Sequence, residues 1–233
     1  MSLTDALLRP LLSAPAKPLV THYDDRLGSR VELSVATLAN WAAKTANWLV
    51  DECDVEPGDP VAVRLPAHWM TAGVLLGAWW CGADVVADPA GAAVSFSPRD
   101  TPAPGAGVLA AVSLDPMGRD LRGDAGPGAV DFVGDARAFG DDFASFGVDD
   151  DAPALVGRTV AEVLADARER AAAAGIGAGD RVLSTMDWTV PDGVLAGVLA
   201  VFAAGASLVQ VTGADAAGAD RHAAAERTTV RLG

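Results

Sequence analysis

Two nearly uninterrupted apolar runs, Ala67 to Cys81 and Pro191 to Ala204, each sit between short strand-like segments and glycine turns. A helix apolar on every face has to be buried, and short apolar strands on either side of it read as a right-handed parallel crossover. The first frame is a strand over Val61 to Leu65 closed by Pro66, the buried helix, Gly82 as its stop, and a strand over Asp84 to Ala87. The second is a strand over Arg181 to Thr185, the buried helix, and a strand over Ser207 to Thr212; a helix near Ala214 to Arg227 and a last strand over Thr228 to Leu232 follow. Each frame is introduced by an amphipathic helix. Ser34 is placed to cap one in which Leu38, Ala42, Ala46 and Leu49 recur every three or four positions, ending near Asp54. Thr159 and Glu162 form a capping box that predicts another from Val160 to about Ala174. At the start of the chain, Leu7, Leu8, Leu11 and Leu12 mark a short helix from Thr4. A hairpin follows, with strands over Pro18 to Tyr23 and Arg30 to Leu33 joined by the turn Asp24 to Gly28.

The two frames share their landmarks in order: Gly58-Asp59 with Gly179-Asp180, Gly73 and Gly77 with Gly193 and Gly197, and Gly82-Ala83 with Gly205-Ala206. One supersecondary unit is used twice. The expected fold is therefore α/β, with two pseudo-symmetric subdomains whose largely parallel sheets are covered by helices on both faces. Residues 1–114 are expected to form the first subdomain, including the N-terminal helix and hairpin, and residues 153–233 the second. Residues 115–152, crowded with Gly, Pro and Asp, read as a partly ordered connection. Ahead of it, Ala93 to Phe96 and Gly107 to Ser113 are strand candidates, the latter continuing the first sheet.

Composition narrows the function classes. The chain has 233 residues, 51% hydrophobic, with a formal net charge of −14. With only two lysines, Lys17 and Lys44, and no basic run, it offers nothing to neutralise phosphates, so neither a nucleic acid nor an anionic membrane is an expected partner. Cys53 and Cys81 lack CxxC spacing and read as reduced thiols of a cytoplasmic protein. Of the two apolar stretches that invite a membrane check, Trp69 to Ala83 is shorter than the ~20 residues a span needs and Gly193 to Gln210 nearly reaches that length. Each holds a glycine break that fits a helix followed by a strand, so no span is expected.

The stretch from Leu33-Ser34 to Val86, with Gly58-Asp59, Leu65-Pro66 and Gly82-Ala83 in place, resembles the opening of the adenylate-forming superfamily of acyl-CoA synthetases, adenylation domains and luciferases. The stretch from Gly179-Asp180 through Gly205-Ala206 to Arg227-Thr228-Thr229-Val230 is similar to that family's second subdomain. The resemblance implies an N-terminal-domain-like α/β fold and a groove for acyl, CoA or nucleotide-like ligands. It also implies a Ser/Thr/Gly-rich phosphate loop after the phrase Asp151-Ala152-Pro153-Ala154-Leu155-Val156; here that phrase runs directly through Gly157 into Arg158-Thr159 and the capping box. The family's Tyr-Gly-x-Thr-Glu motif and the catalytic lysine of its C-terminal domain have no counterpart up to Gly233. ATP-dependent acyl adenylation, which needs donors and a cation around the phosphates, is not expected. No cofactor is assigned.

Four residues stand out as candidate ligand contacts. His68 follows Leu65-Pro66 at the carboxyl end of a parallel strand, where ligands of doubly wound sheets gather; helix capping is the competing role. Trp188 lies at the corresponding place in the second frame, and with Trp69 it is a candidate pocket wall or core residue. Arg158 and Thr159, in the remnant of the phosphate loop, stand at a helix N-terminus suited to an anion, though capping alone explains Thr159. His22 and Asp24 share a strand face, but the hairpin accounts for them better than a metal site does. The sequence thus leaves a leading reading, a catalytically degenerate ligand-binding relative of adenylate-forming enzymes; an alternative, a non-enzymatic structural or regulatory interaction protein for which a homodimer is one form; and a weaker third, an unfamiliar enzyme that uses His68 and nearby carboxylates as acid and base.

Overall fold

The computed structural model describes residues 1–233. Ser2 caps α1 (Leu3–Leu8), and a 3₁₀ turn (Leu11–Ser13) leads into the hairpin of β1 (Pro18–Asp24) and β2 (Ser29–Ser34). Ser34 accepts a hydrogen bond from the Thr37 amide and opens α2 (Val35–Asp51). The first repeat then runs β3 (Pro60–Val63), α3 (Trp69–Cys81), β4 (Asp84–Val86), β5 (Val94–Pro98) and β6 (Val108–Val112). Residues 115–152, expected as a connection, carry β7 (Ala129–Asp131) and α4 (Phe132–Ala136). The second repeat comprises β8 (Pro153–Leu155), β9 (Arg158–Thr159), α5 (Val160–Ala173), β10 (Arg181–Ser184), a helix over 192–203 here called α6, β11 (Ser207–Thr212), α7 (Ala216–Glu226) and β12 (Val230–Leu232). The middle of α6, Leu195–Leu199, is a π turn.

The strands form two sheets, in the orders β7-β6-β5-β3-β4-β8-β9 and β12-β10-β11-β1-β2. All pairings are parallel except β1–β2 and β8–β9. The repeat expected from the sequence is visible in this order: β3 lies between β4 and β5 as β10 lies between β11 and β12. Sheet membership, however, does not follow chain order. The hairpin placed with the first subdomain by sequence position instead pairs β1 with β11, Val20 opposite Leu208, while β8 pairs with β4 through Val85 and Leu155. A hydrophobic pattern fixes which face of a strand is buried; it does not say which neighbour, 188 residues away in the case of Val20 and Leu208, supplies the hydrogen bonds.

Every residue of α3 but Trp80 is buried, as an all-apolar helix requires. It packs on α2 and reaches both β1 and β4, so it ties the two sheets together. The contact with α2 is close because Gly73 and Gly77 face it. A Cβ at Gly77 would stand 2.3 Å from Thr45 Cβ and 2.8 Å from the Ala42 carbonyl oxygen. Gly82 ends α3 with φ +90°, the left-handed conformation glycine adopts without strain. A single buried cluster of 54 residues runs through both layers, from Leu3 to Leu208. No helix is long and apolar enough to cross a membrane. Cys53 and Cys81 are free thiols, and burial pushes each up to about 12.

Candidate functional site

In each repeat the central strand is followed by one neighbour on one side and the next on the other, so a crevice opens beyond its carboxyl end. The carboxyl ends of β3 and β10 face a common cleft of about 470 Å³. One wall is Val63–Pro66 at the end of β3 with Ala87 past β4; the other is the segment 187–190 that follows β10.

The second wall is positioned by the glycine pair that in the first repeat received α2. Trp188 lies against Gly197, where an added Cβ would meet its ring at 3.0 Å, and Gly193 would meet the Asp187 carbonyl oxygen at 2.4 Å. The indole Nε1 donates to Gln210 Oε1 (3.2 Å), and Gln210 Nε2 donates to the Met186 carbonyl (3.1 Å). Trp188 is thereby held by both its ring and its polar atom, buried but for the part that lines the cleft.

The other candidates from the sequence lie elsewhere. Trp69 donates to the Pro116 carbonyl (3.1 Å) and packs on Trp41, away from the cleft lining. His68 is buried as the cap of α3, its Nδ1 accepting from the Met70 amide (3.1 Å). That bond places the proton of a neutral His68 on Nε2, where it has no partner. His22 stands edge-on to it, ring centroids 4.6 Å apart. His22 Nε2 lies 3.2 Å from Thr212 Oγ1, whose own proton goes to the Ala67 carbonyl (3.3 Å). So Nε2 donates, and His22 Nδ1 is a buried acceptor without a partner. Burial pushes His22 down to about 4 against the pull of Asp24, and burial with the neighbouring His22 pushes His68 down to about 3. Asp24 spends its carboxylate on the turn amides of Arg26 and Leu27.

Arg158 and Thr159 are near one another but line no part of the cleft. Thr159 and Glu162 exchange both bonds of the capping box (2.9 and 3.2 Å), and Arg158 pairs with Asp166 (2.8 Å). Ahead of them, β8 and β9 are joined by only Val156 and Gly157, both at positive φ (52° and 73°). Such a two-residue turn is the shortest hairpin connection. The Gly157 amide points at the Asp84 carboxylate, 2.9 and 3.1 Å from its two oxygens. Burial raises Asp84, and this amide opposes the rise.

Sequence reasoning missed two cleft residues. Arg64 and Asp187 are exposed on opposite walls, and neither side chain has an ion-pair or hydrogen-bond partner among the contacts of the molecule. The available signal was a charge set immediately beyond a buried parallel strand in each repeat, Arg64 after Val63 and Asp187 three residues after Ser184.

No protein-family model matches the chain. It is 44% identical over 238 residues to a Mycobacterium tuberculosis protein described as a TIGR03089 family protein, covering 98% of this chain and 97% of that one. Among solved structures, it is similar to an acyl-CoA synthetase from Brucella canis (TM-score 0.78, 16% identity, 99% of this chain and 47% of that one). A fatty acyl-adenylate ligase from L. pneumophila, in complex with acyl adenylate and pyrophosphate, matches with TM-score 0.70 and 13% identity over 99% of this chain and 44% of that one. The N-terminal domain of FACL13 from Mycobacterium tuberculosis matches with TM-score 0.69 and 15% identity over 99% and 62%. The chain spans less than half of the first two structures, and its two sheets are those of the N-terminal portion of acyl-CoA and AMP ligases.

Proposed function

The chain belongs to the TIGR03089 family, and from that premise, the shared fold and the cleft geometry we propose that it is a catalytically degenerate relative of the adenylate-forming enzymes. It keeps a groove for a small ligand of acyl, CoA or nucleotide-like type and does not carry out phosphoryl chemistry. One observation carries the degenerate part of this reading. Where the family resemblance calls for a phosphate-wrapping loop, the chain turns in two residues, and the turn amide that could meet an anion is already given to Asp84. A carboxylate at that place repels phosphate rather than holding it. The ligand part rests on the cleft beyond the carboxyl ends of β3 and β10. The test is ATP–pyrophosphate exchange with a panel of carboxylic acids. No acid-dependent exchange is expected; exchange above the no-acid control would sink the reading.

A second reading, a protein that works through a partner, is favoured by a second groove of about 440 Å³. Val50, Phe143 and Phe146 line it beside Cys81, and Phe146 is 80% exposed. If that face joins two copies, light scattering at micromolar concentration returns a dimer mass, and a Phe146→Ser variant returns a monomer mass.

A further inference from the structure

The cleft walls differ in charge. Arg64 extends the β3 wall and Asp187 opens the wall behind β10, and neither is engaged by another side chain. They do not form an ion pair with each other. The surface between them is mostly apolar, from Val63, Leu65 and Pro66 on one side and Trp188 and Val190 on the other. A free guanidinium binds a planar oxyanion through paired N–H bonds, and a free carboxylate accepts from an ammonium group. The molecule as a whole carries −14, and Asp187 adds a negative charge inside the cleft, so a ligand with several negative charges meets repulsion that one cation does not offset.

We propose that Arg64 and Asp187 are the recognition residues of this cleft, and that its ligand is a small zwitterion: a carboxylate that Arg64 holds, an ammonium that Asp187 holds, and a flat or branched apolar body against Trp188. This inference rests on the reading of the cleft as a ligand site. It narrows that reading against nucleotides and CoA, whose phosphates bring the wrong charge. The two contacts lie just beyond the carboxyl ends of strands from different sheets, so the ligand bridges the two layers.

The experiment is a calorimetric titration of the full chain with one set of probes, phenylalanine, 3-phenylpropionate, phenethylamine and the neutral 3-phenylpropanamide, repeated with leucine, and with a second set, AMP and CoA. Wild-type protein binds a zwitterion at least tenfold more tightly than either singly charged analogue, each charged contact being of the strength that yields such a factor. Arg64→Gln removes the preference for the carboxylate and leaves that for the ammonium, and Asp187→Asn does the reverse. Both positions are exposed, so the variants keep the wild-type melting temperature, which is measured alongside. If Arg64→Gln binds the zwitterion as wild type does, or if the amide binds as well as the zwitterion, the assignment is overturned while the cleft remains a ligand site. If no probe binds but AMP or CoA does, the ligand class is overturned. If nothing in either set binds, the cleft reading falls as well.

Discussion

At the scale of single residues, the two glycine pairs of the repeat show the same spacing put to different uses. Gly73 and Gly77 let α2 approach α3, whereas Gly193 and Gly197 seat the Trp188 segment. Gly77→Ala therefore forces atoms into the Ala42 carbonyl, and a loss of ~1–3 kcal/mol is expected, read as a lower urea midpoint with unchanged m. Gly73→Ala, whose new Cβ would meet only Trp41 Cβ at 3.2 Å, costs less; equal effects would contradict the account. The histidine pair makes a separate prediction. Both are held neutral in the fold, at about 4 and about 3, against 6.5 when unfolded. Their contribution is therefore fully present above pH 6.5 and drains away as the pH falls toward 4, because the unfolded chain takes up protons that the fold refuses. At ~1.4 kcal/mol per unit, the loss by pH 4 amounts to several kcal/mol. Between pH 6.5 and 5.5 the carboxylates that hydrogen bonds hold down, Asp166, Asp180 and Glu226, are ionised in both states, and Asp84 and Asp135, which burial raises, act with the opposite sign, so a fall in stability over that range belongs to the histidines. Denaturation midpoints that stay flat from pH 7 to 5 would contradict it.

At the scale of elements, the sequence was most legible where chemistry is local. Ser34, Thr159 and Gly82 cap and stop their helices as their residue types predict, and α2, α3 and α5 fall within a few residues of the expected bounds. Thr159→Ala removes half of the capping box and is expected to cost ~1 kcal/mol, seen as a lower denaturation midpoint. The π turn in α6 was not legible, since nothing in an apolar run of Leu, Ala, Gly and Val distinguishes i+5 from i+4 bonding. The site was legible only in part. Repeat alignment marked Trp188, but Arg64 and Asp187 look like ordinary surface charges until the strand ends are seen to face one cleft. His68 drew attention by position, and the structure spends it on a cap.

At the scale of the whole molecule, the long-range pairing was the least legible feature. The N-terminal hairpin completes the sheet built by the last third of the chain, Arg30 and Arg181 converging on Glu226. Burial alone would raise Glu226, but hydrogen bonds from Arg30, Tyr23 and Arg181 hold it down to about 2. With the hairpin shared in this way and one apolar cluster running through both layers, the two repeats are expected to unfold together. Tryptophan fluorescence and far-ultraviolet circular dichroism should give coincident urea transitions; two separated transitions would contradict a common core.

The central claim is that the cleft between the two repeats receives a small ligand. A thermal-shift titration tests it most directly, because a ligand that binds only the native state raises the melting temperature by mass action. The panel is AMP, CoA, a short acyl-CoA, phenylalanine and leucine, run on wild-type protein and on Ala87→Trp, which puts bulk into the cleft from an exposed wall position. The account predicts a saturable rise with at least one of these in the wild type and none in Ala87→Trp. A wild-type melting temperature unmoved by the whole panel, or a rise that survives the blocked cleft, would contradict it.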